Sequence, residues 1–381
     1  MDVRALRRLA ADRTFFAPTS LEGALERIGF VQADPIRAPA RAQDLILRQR
    51  VAGYRAGDLE RHYPDLPLTE EMLHVYGFLH RTRRALLHPR RIARRWHVED
   101  AHPRLRAAIL AYLGEHGASH PREIERALVE RRLVHPERTS IVNGWGGVSA
   151  TTTRMLEVLH HRGLLHVVRR DKGVRVYALA PLAVEAGPAP LTPRRRADGL
   201  IRLLASLYEP VPRSSLLQLI LMLHDRAIPR TEMHERVTAL LRRGLLTSRS
   251  VDGVTYVESS LAAPVVATRE PRVRIVAPFD PLVWDRRRFE RLWGWDYRFE
   301  AYVPAGKRRY GYYALPLVWD NGDDVDVIGW VNASVRPGPR LNTLVLETGY
   351  AKPRPKGAVY RDAFDAEVER LRVFLDRADV A

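Results

Sequence analysis

The sequence contains no cysteine among its 381 residues. This absence excludes disulfides, thiolate zinc sites, iron–sulfur clusters and a cysteine nucleophile. Lysine is also scarce, because the 62 basic residues include only four lysines: Lys172, Lys307, Lys352 and Lys356. Residues 1–171 therefore cannot supply a lysine amine for Schiff-base chemistry.

Long apolar runs are missing as well. No stretch approaches the roughly 20 apolar residues that a membrane-spanning helix needs. The N-terminus lacks the basic, apolar and small-residue succession of a signal peptide. We therefore expect a bacterial-type cytoplasmic protein that makes no use of a membrane.

Positive charge is what the sequence has in excess, with a formal net charge of +17 at pH 7. Such a charge favours a polyanionic partner, either nucleic acid or an anionic membrane. Because no convincing basic amphipathic helix is present, we expect nucleic acid. The 14 histidines show no metal-ligand spacing, and we expect neither a metal nor a cofactor.

An internal repeat occupies the middle of the chain. Arg162-Gly163-Leu164-Leu165 recurs as Arg243-Gly244-Leu245-Leu246, and the turns Asp171-Lys172-Gly173 and Asp252-Gly253 follow at matching distances. Each copy predicts a helix with a glycine stop, a strand, a tight turn and a second strand. With two upstream helices, at 104–113 and 121–133 or at 197–208 and 213–224, each copy predicts a winged helix.

The fold class predicted is α+β: tandem winged-helix domains, then a small C-terminal antiparallel β-barrel with a terminal helix over Asp362–Asp376. The region before the repeat is predicted to be mainly helical, including a helix beginning near Pro35 and another over Glu70–Leu87. Short apolar runs between turn signals predict the barrel strands, at 273–278, 297–302, 311–319, 325–331 and 341–347. The predicted domains are 1–98 (helical or winged-helix), 99–182 and 194–262 (winged helices) and 270–381 (barrel).

The most informative segment runs from Phe30 to Val51 and contains Gln32-Ala33-Asp34-Pro35. Gln32 and Asp34 are two residues apart, so in an extended segment both side chains point to the same side, where the pair could hold a water. The alternative is structural: Asp34 caps a helix whose first turn contains Pro35, and Gln32 is merely solvated. Physical reasoning alone leaves both interpretations open.

This segment resembles the signature of the YcaQ/AlkZ family of bacterial DNA glycosylases, a Gln-apolar-Asp motif followed by an Arg-Ala-containing stretch. Two more stretches are similar to the family, Ala277–Phe289 and Tyr297–Pro316. The resemblance implies tandem winged helices and a C-terminal barrel that form a concave DNA-binding surface. It also implies excision of N-alkylated purines, including bulky adducts and interstrand cross-links, from duplex DNA.

The residues suit that chemistry. Alkylation at N7 makes a purine cationic and a good leaving group, so the enzyme needs a positioned water and negative charge near the oxocarbenium-like sugar. Asp34 is predicted to accept the proton of the water, and Gln32 to orient it. Because residues 1–171 contain no lysine, we expect a monofunctional hydrolase. The sequence departs from the family at Ala33, which is smaller than the usual residue, and at Val75, where the family has an acidic residue after the histidine.

Further residues are predicted to assist. Arginines beside the motif and the charged tip of the first hairpin are expected to bind DNA phosphates. These are Arg37, Arg41, Arg48, Arg169, Arg170 and Lys172. His74 and Tyr76 are candidates for supporting the lesion site, although His74 fits a structural role better.

Two non-enzymatic alternatives remain. One is a winged-helix transcriptional regulator, which would usually dimerise on a palindrome; the sequence shows no coiled-coil heptad, and we expect a monomer. The other is a protein that binds damaged DNA without cutting it, an interpretation that Ala33 keeps open. A DNA-repair glycosylase, associated with the nucleoid when bound to DNA, is the preferred prediction.

Overall fold

The computed structural model describes residues 2–90, 96–134, 140–142, 148–180, 191–223, 228–260, 270–336 and 343–376. These residues contain both helices and antiparallel sheets, so the predicted α+β class is confirmed. None of the described helices is long and apolar enough to cross a bilayer.

The helices are α1 (Val3–Thr14), α2 (Leu21–Ile28), α3 (Ala42–Leu47), α4 (Asp58–His62), α5 (His97–Ala101), α6 (Pro103–His116), α7 (Pro121–Glu130), α8 (Thr151–His161), α9 (Pro193–Leu207), α10 (Arg213–Met222), α11 (Met233–Arg242), α12 (Arg286–Trp293) and α13 (Ala358–Leu375). The strands are β1 (Phe30–Gln32), β2 (Leu68–Met72), β3 (Tyr76–His80), β4 (Ser140–Val142), β5 (Val148–Ala150), β6 (Leu165–Asp171), β7 (Val174–Leu179), β8 (Val211–Pro212), β9 (Leu246–Val251), β10 (Val254–Ser259), β11 (Arg272–Ile275), β12 (Leu315–Asp320), β13 (Val325–Arg336) and β14 (Thr343–Tyr350).

The chain divides into two compact units. The first unit comprises Met1–Leu59, Asp198–Met222 and Ile228–Ala381, and the second comprises Glu60–Ala197 and Leu223–Ala227. The predicted boundaries at 182 and 262 lie outside the described residues, and the four-domain division stays a prediction.

The repeated pattern of a helix, a glycine stop and a hairpin is confirmed in both copies. In the second unit α8 is followed by Gly163, with a φ of 75°, and by the antiparallel pair β6–β7. In the first unit α11 is followed by Gly244, with a φ of 68°, and by the pair β9–β10. Glycine adopts this left-handed conformation without the steric cost that other residues meet. The two helices predicted upstream of each copy are also present, as α6 and α7 and as α9 and α10.

The predicted helix over Glu70–Leu87 is wrong. The segment forms the hairpin β2–β3 and then a 3-10 helix, Arg81–Leu86. Glu70 and Glu71 lie on β2 and are almost fully buried, which is tolerable only because each carboxylate meets cationic or polar groups of the second unit. Such tertiary ion pairs override local propensity and are invisible to helical periodicity.

A four-stranded antiparallel sheet of order β11-β12-β13-β14 forms the C-terminal part of the first unit. The predicted small β-barrel is corrected to a curled half-barrel, since β11 and β14 are edge strands within the described residues. A bulge between Leu317 and Val318 bends β12. The strand predicted at 297–302 is absent, and that segment is irregular. The predicted terminal helix is α13, which packs against β11.

Candidate active site

Gln32 ends strand β1 and is held by an indole from a distant part of the chain. Trp284 Nε1 donates a hydrogen bond of 2.8 Å to Gln32 Oε1. An indole N–H can only donate, so the atom that it meets must be the amide oxygen. The NH₂ group of Gln32 therefore points away from Trp284 as an oriented donor.

Asp34 leaves the strand in a tight local turn. Its Oδ1 accepts the backbone N–H of Ile36 at 2.9 Å, and its own backbone N–H donates to Gln43 Oε1 at 3.2 Å. This turn fixes the direction of the carboxylate. The side chain is half-buried, and burial raises the pKa of Asp34 above that of an ordinary aspartate. The result is a carboxylate of increased basicity.

The predicted helix cap at Asp34 is wrong, because no helix follows Pro35. The next helix, α3, begins at Ala42. Pro39 explains the difference: in a helix starting at Pro35 it would stand where a backbone N–H must bond the preceding turn, and proline has none. Residues 33–41 are irregular instead.

A buried ion pair joins the motif segment to the stretch that carries Trp284. Arg50 binds Asp280 through two hydrogen bonds, Nη1 to Oδ2 at 2.8 Å and Nη2 to Oδ1 at 3.0 Å. Both side chains are at most 1% exposed. Arg50 Nε also donates to the carbonyl of Thr14 at 3.1 Å. Because Arg50 and Asp280 are both paired and hydrogen-bonded, they hold together two segments that lie 230 residues apart in the sequence.

Tyr313 belongs to Tyr297–Pro316, the third stretch that is similar to the family. Its ring packs against Phe279 and Phe299, with centroid distances of 6.4 and 5.3 Å. Burial raises the pKa of Tyr313, and the negative charge of Asp34 raises it further. The hydroxyl of Tyr313 is buried without a hydrogen-bond partner among the described residues. All three stretches thus meet around Gln32 and Asp34.

The arginines beside the motif occupy different environments. Arg37 is exposed and Arg41 is partly buried. Arg48 is only 4% exposed, forms an ion pair with Glu367 of α13 and donates to the carbonyl of Ile275. The predicted phosphate contact of Arg48 is therefore corrected to a structural role inside the first unit.

The charged side chains at the tip of the hairpin β6–β7 also lie in different environments. Arg170 binds both carboxylate oxygens of Glu70, at 2.8 and 2.6 Å, so it is committed to the interior of this unit rather than to a phosphate. Arg169 is 46% exposed and pairs with Asp171. Lys172 is exposed and takes the left-handed turn position, with a φ of 49°.

His74 and Tyr76 belong to the second unit. His74 is buried, and burial lowers its pKa to about 3, so the ring is neutral at physiological pH. Tyr76 donates from its hydroxyl to Glu70 Oε2 at 2.6 Å. This hydrogen bond gives Tyr76 a structural role within its unit.

Sequence reasoning missed Gln43. Trp284 and Tyr313 stand out in the sequence only as aromatic residues that could stack on bases or form a core, and the hydrogen bond from Trp284 to Gln32 has no sequence signal. All three residues fall inside stretches that resemble the family signature. The described residues contain no group of three or more histidine, aspartate or glutamate side chains arranged for a metal.

A carboxylate of raised pKa beside an oriented carboxamide is the pair of groups that a water-using hydrolase needs. Comparison with protein-family models identifies the family: the model of the AlkZ-like DNA glycosylases matches residues 25–374. The chain belongs to the AlkZ-like DNA glycosylase family. It is therefore a DNA-repair enzyme, a glycosylase that hydrolyses the bond between a base and its deoxyribose in DNA.

Proposed function

We propose that this glycosylase is monofunctional and releases N-alkylated purines, N7-alkylguanine first among them, from duplex DNA. Bulky adducts and interstrand cross-links are included in the proposed substrates. Asp34 activates the water and Gln32 orients it. The observation that carries the proposal is the pairing of an indole-fixed amide donor at Gln32 with a turn-fixed carboxylate at Asp34.

The reaction follows from these groups. The C1′–N9 bond breaks and its electron pair passes to the cationic purine, which leaves as a neutral base. The sugar becomes oxocarbenium-like, and the negative charge of Asp34 stabilises it. A water accepts a hydrogen bond from the Gln32 NH₂ group and donates one to Asp34. Its oxygen bonds to C1′, and its proton goes to Asp34.

We propose that each of the two units contributes its own contacts to DNA. The helices α6, α7 and α8 with the hairpin β6–β7, and α9, α10 and α11 with β9–β10, follow the element order of winged helices. The hairpin tip offers Arg169 and Lys172 to phosphates, and the motif segment offers Arg37 and Arg41. We propose that the enzyme works as a monomer on nucleoid DNA in the cytoplasm, without metal or cofactor.

The absence of a lyase step is part of the proposal. The motif segment, Phe30–Val51, contains no lysine, so the residues proposed to act at C1′ offer a water and no amine. A strand-nicking lyase would need an amine that attacks C1′. Wild-type enzyme should accordingly leave intact abasic strands.

Substitution Asp34→Asn tests the assignment, because it keeps the side-chain shape and removes the base. We expect release of 7-methylguanine from a methylated duplex, followed by mass spectrometry, to fall at least 100-fold. DNA affinity should stay within about threefold of wild type. Because burial raises the pKa of Asp34, the wild-type rate should fall with decreasing pH at a higher pH than for an ordinary aspartate of pKa about 4.

Two results would contradict the proposal. Unchanged base release in Asp34→Asn would remove Asp34 from the chemistry. Absence of release from every alkylated duplex, by folded wild-type enzyme that still binds it, would show that the proposed substrate class is wrong.

A further inference from the structure

An aromatic patch lies on the surface of the first unit. It consists of Phe279, Phe299 and Tyr302. Phe279 and Phe299 are half-buried, whereas Tyr302 is 78% exposed, more than any other large hydrophobic side chain in the described residues. The rings touch in sequence, with centroids 4.9 Å apart for Phe279 and Phe299 and 6.0 Å apart for Phe299 and Tyr302.

The patch is built rather than accidental. A single exposed ring on a protein surface needs no explanation. Here, however, Phe299 meets Tyr302 at 76°, an edge-to-face contact, and Phe299 is itself supported from below by Tyr313 at 88°. Such edge-to-face contacts hold rings in place. The Tyr302 ring is thus exposed to solvent while the Phe299 and Tyr313 rings hold it in place.

The patch borders the candidate active site. Trp284, five residues after Phe279, donates the hydrogen bond that holds Gln32, and Phe279 itself packs against Phe299 and Tyr313. Phe279 also directly precedes Asp280, the residue that anchors Arg50. A group bound on the patch would therefore lie beside the groups proposed to carry out hydrolysis.

Positive charge accompanies the rings. Lys307, Arg308 and Arg309 follow Tyr302 along the same loop. Arg308 Nε donates to the carbonyl of Val303 at 2.8 Å, and its guanidinium lies 5.1 Å from the ring centroid of the half-exposed Tyr312. Exposed rings flanked by fixed cations are the combination that binds bases and phosphates together.

We propose that the aromatic patch is a base-stacking subsite, on which a nucleobase of the DNA stacks against Tyr302 next to the nucleotide being cleaved. Phe299 holds the ring, and Lys307 and Arg308 neutralise the adjoining phosphates. Tyr302 acts as a positioning residue, and this inference rests on the proposed role of Asp34 for its location. A protein partner on the same patch is the competing outcome.

The test uses the full chain and a fluorescent duplex. The duplex carries a tetrahydrofuran abasic-site analogue with 2-aminopurine at one neighbouring position after another, because 2-aminopurine fluorescence reports stacking. We expect wild-type protein to change the fluorescence at one position, and Tyr302→Ala to abolish that change and to raise the Kd roughly tenfold. Tyr302→Phe, which retains the ring, should restore both.

Controls separate the possible causes. Val359→Ala removes another exposed apolar side chain of the first unit, one that is 58% exposed, and should leave the Kd and the fluorescence unchanged. Thermal unfolding of Tyr302→Ala should match wild type, because the ring is exposed. If Tyr302→Ala binds the duplex and perturbs 2-aminopurine as wild type does, the subsite is refuted, and a protein partner would be the remaining use of the patch.

The readout also separates this inference from the proposed function. Binding to the abasic analogue requires no catalysis, so inactive Asp34→Asn protein should show the same Tyr302-dependent fluorescence change. Loss of that change in Tyr302→Ala, but not in Tyr302→Phe, supports the subsite even if alkylpurine release fails. Base release with no effect of Tyr302 would overturn the subsite and leave the proposed function intact.

Discussion

At the scale of single residues, the hydrogen bond between Trp284 and Gln32 decides what Gln32 can do. An amide side chain has a donor end and an acceptor end, and water orientation depends on which end faces the reaction. The indole N–H of Trp284 donates to the amide oxygen of Gln32, which is the acceptor end of that side chain. Gln32 is therefore a fixed donor, a property that no inspection of the motif alone provides.

Replacing Trp284 with phenylalanine should reduce base release about tenfold, the equivalent of about 1.4 kcal/mol in the barrier. Phenylalanine keeps a ring near Tyr208, which lies 5.3 Å from the indole, but it cannot donate to Gln32. The amide is then free to rotate. Single-turnover release of 7-methylguanine measures the effect.

Trp295→Phe is the matched control for that substitution. Trp295 Nε1 donates to the backbone carbonyl of Val327 at 2.7 Å in the same unit, so the control also loses an indole hydrogen bond. It should lower stability by about 1 kcal/mol and leave the release rate unchanged. Equal rate losses in both variants would indicate general loosening of the unit rather than a role for Gln32.

The sequence alone could predict part of this site. The two-residue spacing of Gln32 and Asp34 and their resemblance to a family motif were sufficient to select both residues. Trp284 lies 252 residues from its partner, and such contacts depend on the assembled core. The helix cap assigned to Asp34 failed because Pro39 removes a donor that a helix would require.

At the scale of elements, the site depends on an ion pair that crosses the interior of the first unit. The Arg50–Asp280 pair ties the segment after α3 to the loop after β11, which carries Phe279 and Trp284. Placing a charge in the interior is costly unless it is paired and hydrogen-bonded. Arg50 meets that condition through Asp280 and the carbonyls of Thr14 and Ile46.

Asp280→Asn should lower the free energy of unfolding by about 3 kcal/mol, because it leaves the Arg50 charge buried without its counter-charge. The amide keeps the volume of the carboxylate, so loss of packing is small. Chemical denaturation followed by tryptophan fluorescence gives the value. Base release should fall at temperatures where the variant is still folded, since Trp284 loses its anchor.

The exposed pair Arg372–Glu369 provides the comparison, with side chains 59% and 58% exposed. Glu369→Gln should change stability by less than 1 kcal/mol. An Asp280→Asn variant as stable as Glu369→Gln would show that the buried pair does not hold these segments together.

Elements with local signals were predictable, and elements with distant partners were not. The Asp252-Gly253 turn predicted the hairpin β9–β10, because the turn conformation is encoded in two residues. The hairpin β2–β3 was mistaken for a helix, because its buried glutamates are satisfied by Arg170 and Arg90, which lie 100 and 19 residues away. The strand predicted at 297–302 does not form. Aromatic rings of this segment pack within the first unit instead, as Tyr297 does against Phe289.

At the scale of the whole molecule, the residues that match the AlkZ-like glycosylase family, 25–374, include most of both units. The proposed chemistry and the stacking subsite lie in the first unit, whereas the hairpin with Arg169 and Lys172 lies in the second. The net charge of +17 is spread over both. DNA affinity should therefore depend strongly on salt, with log K falling linearly as log salt concentration rises.

Removing two cations from the hairpin tip tests where that charge acts. In Arg169→Ala/Lys172→Ala the slope of log K against log salt should become shallower by about two, because each lost phosphate contact contributes roughly 0.9. Lys356→Ala/Arg361→Ala removes the same net charge from two exposed positions, one just before α13 and one on it, and should leave the slope nearly unchanged. Fluorescence anisotropy from 50 to 300 mM salt gives both slopes. Equal slopes in the two variants would mean that net charge, rather than the hairpin, supplies the affinity.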